Sequence, residues 1–451
     1  VNVTIIGTGY VGLTTGTALA YLGHQVTCVD KKPEIVERLS KGEPTIHEGG
    51  LKEILAAGNA NLRFRTDIPE LRDTGVVMIA VGTPSKENGD ADLQFVDAAA
   101  REVAALIQPG ARLVVVNKST VPVGSARHVE GIIARELAAR GVEAEVHVAS
   151  NPEFLAEGRA VHDTLYPDRI VIGCDDPFPA GVLRELYAPI LEQTFEPPPG
   201  TPRPERYDLP PLITTTATSA ELTKYAANAF LATKISFINE FSVLAEKVGA
   251  DITEVARAIG LDERIGSKFL HAGIGWGGSC FGKDTSAVLA LAGSYDYSMP
   301  IVRSAIDVNR RQRAYVVDKL QQHLKVLRGT TIGLLGLAFK GNTDDLRDAP
   351  ALTLIRHLHE RGAVVRVHDP IAMENARRFY PDLPVEYCAD EATLAAGCDA
   401  LVVVTDWPQY RQLDFAELKQ KMRGSLVLDA RNLLQPAQVR SAGMTYVGIG
   451  R

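Results

Sequence analysis

The 451-residue chain contains no run of about 18 or more apolar residues, so no membrane-spanning helix is expected. It has no CxxC pair either: its five cysteines, Cys28, Cys174, Cys280, Cys388 and Cys398, are odd in number and scattered. That spacing argues against a disulfide framework and against a zinc site, so no metal is expected. Free thiols suit a reducing cytoplasm, which is the expected location. Cys28 lies in the apolar run Val26-Thr27-Cys28-Val29 and reads as buried strand filler. There is no basic excess: 48 Lys+Arg against 55 Asp+Glu give a formal net charge of −7, so no nucleic-acid partner is expected. An anionic ligand would have to be held by local cations and backbone amides. The N-terminal residues run straight into an apolar β-branched segment, which predicts no signal peptide.

What is present is the composition of an ordinary globular protein, 45% hydrophobic and 23% charged, with length for roughly three domains. Val3-Thr4-Ile5-Ile6 ends in Gly7; a helical stretch follows from 10 to about 22, then a strand from 25 to 29 ending in Asp30. This is the grammar of a βαβ unit. Apolar runs at 76–81, 113–116, 146–149 and 170–172 continue it as a doubly wound parallel sheet. Residues 196–212 are crowded with proline and predict an exposed loop. A breaker-poor stretch from 220 to about 248, with Thr218 or Ser219 as cap, predicts one helix over about 40 Å long. Such a helix suits a spine between domains and an oligomer contact. A second helical run is expected from 301 to 324. The βαβ grammar then returns at 331–336, 364–367, 401–404 and 426–428. The expected fold is therefore α/β: a Rossmann-like domain (1–212), a central helical region with one long helix (213–325) and a second Rossmann-like domain (326–451).

Gly7-Thr8-Gly9-Tyr10-Val11-Gly12 matches G-x-G-x-x-G between a strand and a helix, with Asp30 eighteen residues after Gly12. Gly7 permits the tight turn, Gly9 lets the backbone approach a pyrophosphate, and Gly12 lets helix and strand pack closely. The helix N-terminus at Tyr10 and Val11 offers amides to phosphates. Asp30 would accept from the adenosine ribose hydroxyls and repel a 2′-phosphate, which favours NAD over NADP. Thr83 and Pro84, and then Ser119 and Thr120, lie just past the third and fourth strands, where ligands bind in open α/β sheets.

A second constellation centres on Gly277-Gly278-Ser279-Cys280-Phe281-Gly282-Lys283-Asp284. A thiol can hold an aldehyde as a thiohemiacetal, which gives up a second hydride and leaves a thioester for water to cleave. Lys224 and Asn228 are four apart on the expected long helix and share a face, with Glu221 one turn earlier. Beside Cys280 and Asp284 they suggest oxyanion donors. Glu153 and Glu157, four apart, can flank a site, and Glu153 could orient or deprotonate a hydrolytic water.

On GTGYVG at 7–12, STVPVGS at 119–125, NPEFLAEG at 151–158, AELTKYAANAFLATKISFINE at 220–240, RIGSKFLHAGIGWGGSCFGKD at 264–284 and GLAFKGNTDDLRDAP at 336–350, the chain resembles the UDP-glucose/GDP-mannose dehydrogenase family over nearly its whole length. The resemblance implies a four-electron, NAD-dependent oxidation of UDP-glucose to UDP-glucuronate. It implies Cys280 as nucleophile, Lys224 and Asn228 as oxyanion stabilisers, Asp284 and Thr120 positioning water, and Glu153 as base in thioester hydrolysis. Lys224 and an Asp284-bound water both remain open as acceptors of the first C6 hydroxyl proton. Substrate contacts carry over to Glu153, Phe154, Leu155, Glu157, Lys224 and Asn228. They continue through Phe269 and the loop at His271, Gly273, Gly275 and Gly277, then Phe339, Lys340 and Arg431. Glu157 and Arg347 carry over as cofactor contacts. Arg264 resembles an arginine that reaches into a neighbouring subunit, which implies a homodimer or higher homo-oligomer.

The pattern departs at Ile35, where a basic residue commonly stands, and at His47-Glu48-Gly49-Gly50, where glycine replaces proline. The stretch Phe269–Trp276 before GGSCF resembles the UDP-glucose branch of the family, with GDP-mannose or a UDP-N-acetylhexosamine as the alternative. A non-catalytic nucleotide-sugar binder would have no use for this set of residues. A single-step hydroxy-acid dehydrogenase gives no reason for Cys280 or the second α/β domain.

Overall fold

Short β-branched runs flanked by glycine and polar turns become strands in the computed structural model, which describes residues 1–72 and 75–451. The first sheet has eight strands: β1 (Asn2–Ile6), β2 (Gln25–Val29), β3 (Leu62–Arg65), β4 (Val76–Ile79), β5 (Arg112–Asn117), β6 (Glu145–Ser150), β7 (Ile170–Gly173) and β8 (Leu212–Thr215). Their order is β3-β2-β1-β4-β5-β6-β7-β8. The order reverses between β1 and β4, so the loops after these strands diverge and leave a crevice at their carboxyl ends. Val3 pairs with Val76, Ile79 with Asn117 and Asn117 with Ser150.

The sheet is not wholly parallel, as the sequence suggested. β7 runs antiparallel to β6 through one bridge, Ser150 to Gly173, and carries β8 parallel to itself. The stretch between β6 and β7 is turn-rich and holds only the short helix Ala160–Leu165.

The second sheet is six-stranded and parallel throughout: β9 (Thr331–Leu335), β10 (Val364–His368), β11 (Glu386–Tyr387), β12 (Ala400–Val403), β13 (Leu426–Asp429) and β14 (Thr445–Gly448). The order is β11-β10-β9-β12-β13-β14. β12 and β13 are buried at every position, as expected where helices cover both faces.

The long helix spans Ala217–Val248, 32 residues. It begins earlier than the sequence suggests. The Thr216 hydroxyl accepts the Ser219 amide at 3.2 Å, so Thr216 caps the helix rather than Thr218 or Ser219. Pro300–Leu324 forms the second helix, with proline in its first turn where no amide is needed. Residues 196–211 form neither helix nor strand. Their Thr201 hydroxyl packs where a Cβ on Gly50 would stand, 2.2 Å away, and Gly50 holds φ +77°. Gly49, which stands in place of proline after Glu48, has nothing within 4 Å of its Cβ position, so the close contact to the proline-rich loop is made by Gly50.

The described residues divide into two compact units, 1–227 with 286–294, and 228–285 with 295–451. The long helix and the helix Phe281–Gly293 each pass from one unit to the other. No helix among the described residues is long and apolar enough to cross a membrane.

Candidate active site

In the first unit the glycine fingerprint acts sterically as its spacing predicts. Gly7 holds φ +99°, and a Cβ there would stand 2.6 Å from the Ala80 carbonyl oxygen on the neighbouring strand end. A Cβ on Gly12 would stand 1.9 Å from the Gly7 oxygen. Gly9 has nothing within 4 Å of its Cβ position, so the turn is open on the side where a diphosphate would approach. Gly9 is the N-cap of the helix Tyr10–Tyr21, and no side chain caps that end. An uncapped helix start beside an open glycine fits a phosphate group. Asp30 is oriented by the Thr8 hydroxyl at 2.6 Å and by the Lys32 amide at 3.0 Å. Lys31 is drawn away to Glu102. Past β4 and β5, Thr83 donates to the Thr120 carbonyl and Ser119 to the Val81 carbonyl, tying the two predicted turns together. Pro84 is exposed.

The first unit also brings Glu153 and Lys224 into a buried ion pair, Lys224 Nζ to Glu153 Oε1 at 2.9 Å, with side chains 4% and 7% exposed. Glu153 Oε2 accepts the Leu155 amide, which fixes the carboxylate. The Phe154 ring lies under two cations, 3.8 Å from the Arg169 guanidinium carbon and 5.5 Å from Lys224 Nζ. Glu157 is buried. Glu48 accepts the Gly158 and Ala160 amides, so the His47–Gly50 turn braces the segment that carries Glu153 and Glu157.

Two charged groups behind this pair carry more than the sequence assigned them. Glu221 is 3% exposed and accepts the Gly124 and Ala126 amides and the Ser150 hydroxyl. It thereby ties the long helix to the first turn of the helix Ser125–Arg140, and burial raises its pKa. Lys118 directly precedes Ser119 and is not among the residues the sequence singled out. It is 8% exposed, and its Nζ donates to Asn151 Oδ1 at 3.0 Å. The usable signal is a lysine that directly continues a buried apolar strand.

Burial lowers the Lys118 pKa from 10.5 to about 8, with Glu153 opposing the shift and Lys224 adding to it. The fold carries this ammonium at a cost below pH 8. The unfolded chain binds more protons than the folded one between pH 8 and 10.5, so stability from this group rises with pH across that window. Relative to Lys118→Met, the wild type should therefore gain about 2 kcal/mol from pH 7 to pH 10, measured by urea unfolding. A pH-independent difference would contradict the burial of the charge.

In the second unit Cys280 immediately precedes the helix Phe281–Gly293, and its carbonyl accepts the Asp284 amide at 2.8 Å. The thiol is half-buried, whereas Cys28 is fully buried with its pKa pushed up to about 12. Asp284 is 1% exposed and accepts from Asn228 Nδ2 and from Lys283 Nζ, both at 2.6 Å. One donor of the Asn228 amide is thus committed to Asp284.

The glycines of the loop 271–277 serve packing within this unit. A Cβ on Gly273 would stand 2.6 Å from the Ala430 oxygen, on Gly275 2.4 Å from Asn309 Oδ1, and on Gly277 2.4 Å from the Asp348 oxygen. The Phe339 ring covers Gly278, and Lys340 Nζ lies 5.6 Å from that ring's centre. Arg431 donates to the carbonyls of Val404, Gly275 and Phe339, stitching the loop to the second sheet. Arg347 forks onto Asp345. Phe269 holds φ +65°, His271 is exposed, and Arg264 is exposed and pairs with Asp262.

Comparison with known proteins identifies the family of the chain. Residues 1–191 match the NAD binding domain of the UDP-glucose/GDP-mannose dehydrogenase family, 218–311 its central domain and 333–436 its UDP binding domain. The UDP-glucose 6-dehydrogenase YwqF of Bacillus subtilis is 43% identical, the alignment covering 100% of this chain and 98% of the relative. The UDP-glucose 6-dehydrogenase of Rhizobium meliloti is 46% identical over 100% of this chain and 99% of its own. A solved UDP-glucose dehydrogenase from Pyrobaculum islandicum superposes with a TM-score of 0.87 at 40% identity, covering 100% and 97% of the two chains. With its fingerprint glycines shaped for NAD and its matches end to end, the chain belongs to the UDP-glucose/GDP-mannose dehydrogenase family.

Proposed function

We propose that this chain oxidises UDP-glucose to UDP-glucuronate through a covalent adduct on Cys280. The observation that carries the reading is the half-buried thiol at the start of the helix Phe281–Gly293, one turn before the buried Asp284 that Asn228 holds. Residues 7–12, Asp30, Thr83, Pro84, Ser119, Thr120, Glu157 and Arg347 would hold NAD, which would supply the hydride acceptor for each oxidation. Lys224 or a water on Asp284 takes the proton of the C6 hydroxyl. Cys280 sulfur then adds to the C6 aldehyde, forming a C–S bond, while Lys224 and Asn228 stabilise the oxygen that becomes negative. Loss of the second hydride turns this thiohemiacetal into a thioester. Water held by Asp284 and Thr120 attacks the thioester carbonyl, Glu153 takes its proton, and the Cys280 thiolate leaves. Phe154, Leu155, Phe269, the 271–277 loop, Phe339, Lys340 and Arg431 are assigned to the nucleotide sugar, and the three-part division at 212 and 325 follows from the same reading. The enzyme works in the cytoplasm.

Initial rates of NADH formation with UDP-glucose, GDP-mannose and a UDP-N-acetylhexosamine test the assignment. UDP-glucose should lead in kcat/KM by about 100-fold or more, since a misplaced acetamido or base leaves buried polar groups unpaired. Equal or better turnover of another sugar would overturn it.

The long helix also exposes Phe230, Phe237, Phe241, Leu244 and Val248, spaced 7, 4, 3 and 4 apart along one face. A second copy of the chain covers this apolar stripe, which sets the exposed Arg264 to serve a neighbour's site. The pair Phe230→Glu and Phe237→Glu should convert a dimer to monomer in sedimentation velocity. An unchanged sedimentation coefficient would remove this face from the interface.

A further inference from the structure

Asn117 ends β5 and is 1% exposed, yet among the described residues neither its side-chain oxygen nor its nitrogen has a hydrogen-bond partner. A buried amide without partners is costly, and native proteins satisfy nearly all such groups with protein or ordered water. The register places Asn117 beside Ser150 on β6, so the two side chains leave the same face of the sheet. The Ser150 hydroxyl donates to Glu221 on the long helix, so this face looks toward that helix. Between them lies a cavity of about 10 Å³, walled by Asn117, Ser119, Thr120, Ser150, Glu221 and Lys224. That is about the space one water molecule needs, and a buried water needs two to four polar partners. The walls supply an amide, three hydroxyls, a carboxylate and an ammonium.

We propose that Asn117 binds one buried water against Lys224 and Glu221, and that Asn117 is thereby a positioning residue for Lys224. The water satisfies the Asn117 amide and braces the lysine, whose Nζ also pairs with Glu153 and lies near the Phe154 ring. It is proposed as a structural water, distinct in role from the water consumed in the reaction. The catalytic half of this inference rests on the role given to Lys224 above; the binding half does not.

The test uses the full-length protein and the variants Asn117→Leu and Asn117→Ser. Leucine has nearly the shape of asparagine and no polar atoms, while serine keeps a donor and acceptor and leaves room for water. A crystal structure at about 1.5 Å should show one ordered water within hydrogen-bond distance of Asn117 and Lys224 in the parent. That water should be present in the serine variant and missing from the leucine variant. A dry cavity in the parent, or Asn117 paired with protein atoms, overturns the proposal whatever the substrate proves to be. With NADH formation as readout, Asn117→Leu should lower kcat at least about tenfold while KM for the nucleotide sugar stays within about twofold. It should also displace the pH profile of kcat, and Asn117→Ser should recover most of the loss. A leucine variant with parental kcat and pH profile overturns the positioning role even if the water is seen.

Discussion

Cys280→Ala is expected to abolish UDP-glucuronate formation, with the rate falling by about 10³-fold or more. The substitution removes only the sulfur. The Cys280 carbonyl still accepts the Asp284 amide, and the helix Phe281–Gly293 still begins where it did. The variant should therefore fold and bind UDP-glucose with a Kd within about threefold of the parent, so that the loss reports chemistry. Product analysis by chromatography checks it. Glucuronate made at the parental rate would mean that the acid arises without a thioester.

Lys224→Met is the second large effect, and it falls on stability as well as activity. Lys224 and Glu153 are a buried pair, and removing one partner strands the other charge, a loss of about 3–5 kcal/mol. On the mechanism proposed above, the same change also removes an oxyanion stabiliser, for an expected loss of about 10²–10³ in kcat. Adding Glu153→Gln separates the two effects. The double variant has no stranded charge, so urea unfolding should show at least about 2 kcal/mol recovered. Its activity should stay at or below that of Lys224→Met. A single variant as stable and active as the parent would contradict both the buried pair and the role of Lys224.

The parts of the fold written most plainly in the sequence are those that depend on near neighbours. The β-branched runs became β1, β4, β5, β9 and β12 because such runs suit strands buried on both faces. β3 was missed because Leu62-Arg63-Phe64-Arg65 alternates polar and apolar at a sheet edge, and β11 because two residues carry no pattern. The reversal of β7 was invisible, since it depends on how residues 151–169 return rather than on β7 itself.

The same division runs through the site. The roles of Gly7, Gly9 and Gly12 are steric and local, so the spacing expressed them. Lys224 and Asn228 were placed on one helix face by their four-residue interval, but nothing in that interval says that Asn228 holds Asp284. Asn117, Lys118 and Glu221 matter because segments far apart in the chain bury them together. The packing of Gly273, Gly275 and Gly277 against Ala430, Asn309 and Asp348 likewise depends on residues far off in the chain.

The central claim, that one site carries the alcohol through to the acid, is tested most directly by counting NADH formed per UDP-glucose consumed at limiting sugar and excess NAD⁺. A ratio of two means that the aldehyde is retained on Cys280 and oxidised again. A ratio of one, with free aldehyde in solution, would contradict the thiol mechanism.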